Sequence, residues 1–150
     1  WRRPAPNTIP WDTKAAGLYM ICTLSKHEAE KQGYTDSLML DHEGYVAEAT
    51  GANIFFKDKD GTLHTPIPDS FLDGITRRTV IEIANSMNIK VNERKIKPEE
   101  LKNFVGCFLT GTAAEVTPVS QIDKFNYKVC NTIIQLSESY QQTVRKKKAA

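Results

Sequence analysis

The 150-residue chain is poor in the residues that build metal centres and disulfide frameworks. Its three cysteines, Cys22, Cys107 and Cys130, lie far apart and make no C-x-x-C pair. An odd number at such spacing reads as reduced, partly buried thiols. The three histidines, His27, His42 and His64, have no cysteine beside them, so no metal site is expected. No apolar run approaches the roughly 20 residues that cross a bilayer, and no secretory leader pattern is present. A cytoplasmic protein without a membrane partner is the expectation. The net charge of +2 is too small to point to a nucleic-acid partner. The most basic stretch, "RKKKAA" at the C-terminal end, reads as a solvated tail. No internal repeat is seen.

What is present is an ordinary globular balance, 40% hydrophobic and 25% charged, at a length that suits one domain with a sizeable core. The opening "WRRPAPNTIPWD" carries three prolines that prevent regular structure. Residues 15–31 read as a helix, with Leu18, Ile21, Cys22, Leu24 and Ala29 as its apolar stripe and Gly33 as its stop. "DSLMLD" and "YVAEAT" read as strands, and "NIFFKDKDGTLHTP" as a hairpin turning at Asp60-Gly61. "LDGITRRTVIEIANSMN" is a second helix. Its apolar face is Ile75, Val80, Ile83, Ala84 and Met87, and Thr76 and Thr79 are its cap or first-turn residues. Then come a strand in "IKVNERKI", a short helix in "KPEELKN", a buried strand in "VGCFLTG", a further strand in "VTPVSQID" and a last helix over 129–146. Strand runs clustered between helices give an α+β fold class.

Two turns have the makings of an anion cradle. "LDGIT" places Gly74 directly before a helical run, where free amides and the helix dipole favour an anion. Asp73 is a candidate cap there, and Thr76 adds a hydroxyl. "LTGTAAE" ends a buried strand with small residues and the hydroxyl of Thr112. Each is either a plain turn or a phosphate contact. Glu48 lies in the apolar strand "YVAEAT". It either points out from a half-exposed strand or faces a buried cation, such as the protonated ring nitrogen of a cofactor.

Taken in order, "TKAAGLY", "GYVAEATGANIFF", "LDGITRRTVIEIA" and "FLTGTAAEVTPV" resemble the class IV pyridoxal-phosphate aminotransferases, specifically the branched-chain amino acid group. The resemblance runs from about Trp11 to Asp123, over most of the chain. It implies the larger, C-terminal domain of the fold type IV enzymes. Residues 1–13 would then be an interdomain linker or arm, 14–150 the cofactor-binding domain, and the smaller N-terminal domain absent. Lys14 matches the lysine that forms a Schiff base with pyridoxal 5'-phosphate, and Tyr19 the tyrosine on the cofactor's phenolic oxygen. Glu48 matches the carboxylate at the pyridine nitrogen. Ile75 and Thr76 match the helix-start amides on the phosphate, and Thr112 matches a second phosphate donor. Thr112 and Ala113 match the turn that receives the substrate carboxylate. Ala15, Ala16 and Gly17 read as clearance for a flat ring.

The implied activity is ping-pong transfer of the amino group of leucine, isoleucine or valine to 2-oxoglutarate, in a dimer or higher homo-oligomer, as in amino-acid biosynthesis. D-amino acid transaminases and aminodeoxychorismate lyases share the fold and the lysine–glutamate pair. A non-catalytic cofactor-binding fragment is the reading from another class. The chain departs from the family at Ala49 and Ala52, where Gly and Glu are common, so a polar group near the cofactor is missing.

Overall fold

The computed structural model describes residues 1–145, and the last five residues of the basic tail lie outside the described residues. A 3-10 turn, Ala16–Tyr19, leads into helix α1, Met20–Lys31. The sequence predicts one helix from residue 15, but Ala15 is extended and the first turn is 3-10. Gly33, at φ +86°, ends α1 as expected: its amide bonds Glu30 O and that of Tyr34 bonds Ala29 O, a Schellman closure.

Strands β1 (Leu38–Leu40) and β2 (Val46–Ala49) pair antiparallel as a separate ribbon. Strands β3 (Asn53–Lys57) and β4 (Leu63–Thr65) form the expected hairpin. Its loop is held by Asp58, whose carboxylate accepts the amides of Asp60 and Thr62, and Gly61 takes a φ of +91° that favours glycine. Helix α2 (Ile75–Ser86) carries the chain over to β5 (Val91–Glu93), which pairs parallel with β4. A 3-10 segment, Pro98–Asn103, precedes β6 (Gly106–Gly111), which returns antiparallel beside β3, with β7 (Glu115–Pro118) outside it. The sheet order is β5-β4-β3-β6-β7. The predicted strand in "VTPVSQID" divides: β8 (Gln121–Ile122) turns at Asp123, φ +51°, and pairs with β9 (Phe125–Asn126), a hairpin the sequence reading missed. Helix α3 spans Asn131–Arg145.

Strand β3 shows why this segment forms the spine. Its side chains alternate between two cores, so both faces of the sheet are covered. Phe55 stacks on Phe108 and packs with Val80, Ala84, Ile133 and Leu136 of α2 and α3. Ile54 and Phe56 face the other way, with Val46, Ile96, Leu101, Phe104 and Tyr127. Two helix-face expectations change. Ile75 is 75% exposed, so it leads α2 without joining the core. Leu24 is 52% exposed, because the buried side of α1 runs along Cys22 and Ser25, in line with Leu18 of the turn before it.

Candidate active site

A cavity of about 450 Å³ lies where the 3-10 turn, β2, the start of α2 and the end of β6 converge. Lys14, Tyr19, Glu48, Ile75, Thr76 and Thr112 all line it. Six residues spread over nearly a hundred positions thus meet at one hollow. Ala113 does not line it; it is exposed in the turn after β6. A larger cleft of about 750 Å³ opens between α1 and the β7–β8 edge, lined by Ser25, Tyr34, Asp36 and Thr117 among others. It contains none of the seven predicted residues, so size alone does not locate the chemistry.

Glu48 resolves the alternative left open by its sequence. It is only 8% exposed, on a strand whose four residues are all buried, and so does not point to solvent. Burial pushes its carboxyl up to about 8, although the Arg3 guanidinium pulls it the other way. Arg3 Nε stands 3.5 Å from Glu48 Oε1, and Asn53 Nδ2 donates to Glu48 Oε2 at 3.2 Å. A buried acid with so little compensation is suited to a cation inside the cavity. Half-buried Tyr19 has its hydroxyl pushed up by burial and by the charges of Glu48 and Cys22, with Arg3 opposing.

The start of α2 is built for an anion by what it omits. No side chain caps it, and its first turn holds no acid. The sequence offers Asp73 as a cap, but Asp73 turns away to pair with Arg77 at 2.8 Å and Arg78 at 3.7 Å. A charged partner outcompetes the neutral amides. Thr76 is buried, and its hydroxyl lies 3.2 Å from that of Tyr140 on α3, an engagement with no signal in sequence spacing. Gly74 owes its identity to space: a Cβ there would overlap Asn53 Oδ1, which accepts the Gly74 amide at 3.1 Å.

Arg3, Asn53 and Thr110 are among the lining residues that the sequence does not single out. Arg3 lies in the proline-rich arm, yet it is 4% exposed. Its amide bonds Leu40 O at 2.7 Å, and its guanidinium reaches Leu18 O at 3.3 Å and Cys22 Sγ at 2.9 Å. Thr110 is 1% exposed, and its hydroxyl has no partner within the protein. Such an atom beside a cavity is the mark of a polar ligand group. The buried acid, the uncapped helix start and the orphaned hydroxyl together fit a flat cationic ring with an anionic arm. Ala52, 8% exposed, lines the same hollow with a side chain that carries no polar atom. Lys14 and Thr112 are the exposed members of the lining among the predicted polar residues.

Among the described residues, no cluster of His, Cys, Asp and Glu is placed to hold a metal ion, and no helix is long and apolar enough to cross a membrane.

Known proteins share this fold. The chain is 51% identical over 129 residues to the probable branched-chain-amino-acid aminotransferase of Rickettsia bellii, an alignment covering 86% of this chain and 44% of that protein. It is 44% identical over 124 residues to the branched-chain-amino-acid aminotransferase of Escherichia coli K12, covering 82% and 40%. The crystal structure of the Thermoproteus uzoniensis branched-chain aminotransferase with norvaline superposes with a TM-score of 0.92 at 38% identity, over 96% of this chain and 48% of that one. The branched-chain amino acid aminotransferase from Thermobaculum terrenum in its PLP-form, the holo-form, gives 0.91 at 37%, over 96% and 48%. The chain thus spans about half the length of the proteins it resembles. The family model for class IV amino-transferases matches residues 1–122, and the chain belongs to that family.

Proposed function

We propose that this chain is the cofactor-binding domain of a branched-chain amino acid aminotransferase that uses pyridoxal 5'-phosphate. The observation that carries the reading is the convergence of Lys14, Tyr19, Glu48, the uncapped start of α2 and Thr112 on one cavity. The names and ligands of the similar proteins support it. Residues 14–150 form the domain, residues 1–13 its arm, and the protein acts in the cytoplasm as a dimer or higher homo-oligomer with a smaller domain completing the site.

Bound pyridoxal phosphate supplies an aldehyde that amines capture and a ring that accepts the electrons left when a Cα–H bond breaks. Glu48 holds a proton at the ring nitrogen, which keeps that ring electron-poor. Tyr19 hydrogen-bonds the phenolic oxygen and fixes the ring's rotation. The amides of Ile75 and Thr76, with the Thr112 hydroxyl, hold the phosphate. Lys14 would hold the aldehyde carbon of the bound cofactor, and its free amine would move the proton between Cα and that carbon. The turn at Thr112 and Ala113 receives the substrate carboxylate. The exposed Lys14 needs cover for this work, since a dry site strengthens each of these contacts. The exposed apolar side chains of Met20, Leu24 and Ile75 suit an apposed surface from the rest of the protein or a second copy.

The test is spectroscopic. The chain mixed with pyridoxal phosphate develops an absorption band at the violet edge of the visible, and Lys14→Ala abolishes it. An unchanged band in the variant removes Lys14 from the role. In the full-length parent, L-leucine with 2-oxoglutarate yields glutamate. Failure there, with turnover of a D-amino acid, would overturn the branched-chain assignment.

A further inference from the structure

One guanidinium touches both halves of the cavity. Arg3 stands against the Glu48 carboxylate at 3.5 Å, and the same group bonds Leu18 O in the turn that carries Tyr19, and Cys22 Sγ one turn further on. Its backbone amide is tied to Leu40 O in β1. The arm is therefore not a passive tether where Arg3 sits. The proline-rich segment delivers a fixed cation, 4% exposed, to the back of the site. Arg3 Nε makes no hydrogen bond, and Oε1 of Glu48 is its nearest charged neighbour. A fixed cation with spare donor capacity is what a buried acid needs if it is to ionise.

We propose that Arg3 is a positioning residue of the site: it sets the ionisation of Glu48, and it locks the Ala16–Tyr19 turn to the strand that bears Glu48. This rests on the reading that Glu48 faces the cofactor's ring nitrogen. The residue acts through two others. By drawing Glu48 toward its ionised form, it lets that carboxylate hold a proton on the ring nitrogen. By gripping Leu18 O, it sets the height of Tyr19 over the same cavity. The groups that face Glu48 are few: Arg3 from the arm, Asn53 from β3, Tyr19 from the turn and Cys22 from α1. Arg3 alone among them is a cation; Lys14, which also lines the cavity, is exposed to solvent, whereas Arg3 is buried against the carboxylate. Lysine at position 3 keeps the charge but lacks the planar fork that serves the carboxylate, the carbonyl and the thiol at once.

The experiment uses the cofactor-free chain, so it succeeds or fails separately from any transamination assay. The carboxyl carbon of Glu48 is followed by NMR through a pH titration, with Glu48→Gln to assign the signal. In Arg3→Gln the midpoint rises by about one pH unit or more, a tenfold or larger gain in proton affinity. Arg3→Lys restores most of that shift. Amide exchange at Leu18–Cys22 nevertheless quickens in both variants, because lysine cannot make all three contacts. In the unsubstituted chain, the Arg3 Nε resonance moves with the same midpoint as the Glu48 carboxyl, and Glu48→Gln erases that inflection. This last readout needs no substitution at Arg3, so it decides the matter even if Arg3→Gln fails to fold. An Arg3 Nε resonance indifferent to Glu48, or a folded Arg3→Gln with an unmoved midpoint, overturns the proposal.

Discussion

The side-chain oxygen of Asn53 accepts the amide hydrogen of Gly74 at 3.1 Å, at a point where Gly74 has no room for a side chain. The amide nitrogen of Asn53 meanwhile serves Leu72 O at 2.8 Å and Glu48 Oε2 at 3.2 Å. One side chain thus fastens the helix start proposed for the phosphate to the acid proposed for the ring. Gly74→Ala forces Asn53 aside, and overpacking of this kind costs about 1–3 kcal/mol. Urea denaturation then shows a lowered midpoint, and pyridoxal phosphate affinity falls with it. Asn53→Ala, which leaves room at Gly74, weakens the cofactor without that strain. Equal cofactor affinity in Asn53→Ala and the parent chain would break the link between the two halves of the site.

A second prediction concerns Arg77, 1% exposed at the first turn of α2. Its guanidinium bonds Asp73 at 2.8 Å, Pro66 O at 3.0 Å and Glu93 at 2.6 Å. It therefore ties the helix start to the ends of β4 and β5. Asp73 and Glu93 keep part of their carboxylates in water, so the loss is that of charge-assisted hydrogen bonds made by a buried guanidinium, about 1.5–3 kcal/mol. Arg77→Ala lies in this range. Arg77→Met recovers the packing of the stem and not the ion pairs. Thermal melts that rank Met with the parent chain would show that packing alone is at work.

These two residues mark where sequence reading stops. The α+β class, the β3–β4 hairpin and the Gly33 helix stop were legible because each follows from local rules of alternation, turn chemistry and backbone freedom. Of the seven residues named by resemblance, as ordered motifs, six line one cavity and Ala113 does not. Arg77 and Arg3 were not legible, because a buried arginine looks like any surface arginine until its carboxylates are placed around it. Asn53 reads as a strand residue, and only the crossover through α2 brings Gly74 against it. Asp73 shows the converse failure. Its position is that of a helix cap, but Arg77 at i+4 claims its carboxylate. The β8–β9 hairpin was missed because its strands have two residues each, too few for any period to register.

Thr110 separates stability from binding. Its hydroxyl is buried at the cavity wall without a partner, which costs the cofactor-free chain roughly 1–3 kcal/mol. Thr110→Val keeps the shape and removes that cost. The variant melts higher than the parent chain, yet it binds pyridoxal phosphate more weakly, about tenfold for one lost hydrogen bond. Opposite signs in the two measurements are the signature of a hydroxyl kept for a ligand. A variant that gains stability and binds equally well would make Thr110 a packing residue only.

The pH dependence of stability follows from Glu48. Burial raises its carboxyl from 4.5 to about 8 in the folded chain. A group whose folded value is raised favours folding fully below its unfolded value, and the benefit is lost as pH climbs through the folded value. The cofactor-free chain should therefore lose stability steadily between about pH 4.5 and 8 through this residue. At 1.36 kcal/mol per unit, the loss is on the order of a few kcal/mol. Glu48→Gln stays neutral throughout, so its disadvantage or advantage against the parent chain shifts in its favour across the same window. Chemical denaturation at pH 5, 7 and 9 reads this directly, and parallel curves for the two proteins would refute it. Saturating pyridoxal phosphate flattens the parent's decline, because a cation held against the carboxylate restores the ionised form. The same addition leaves the slope of Glu48→Gln unchanged, which ties the effect to that one carboxylate.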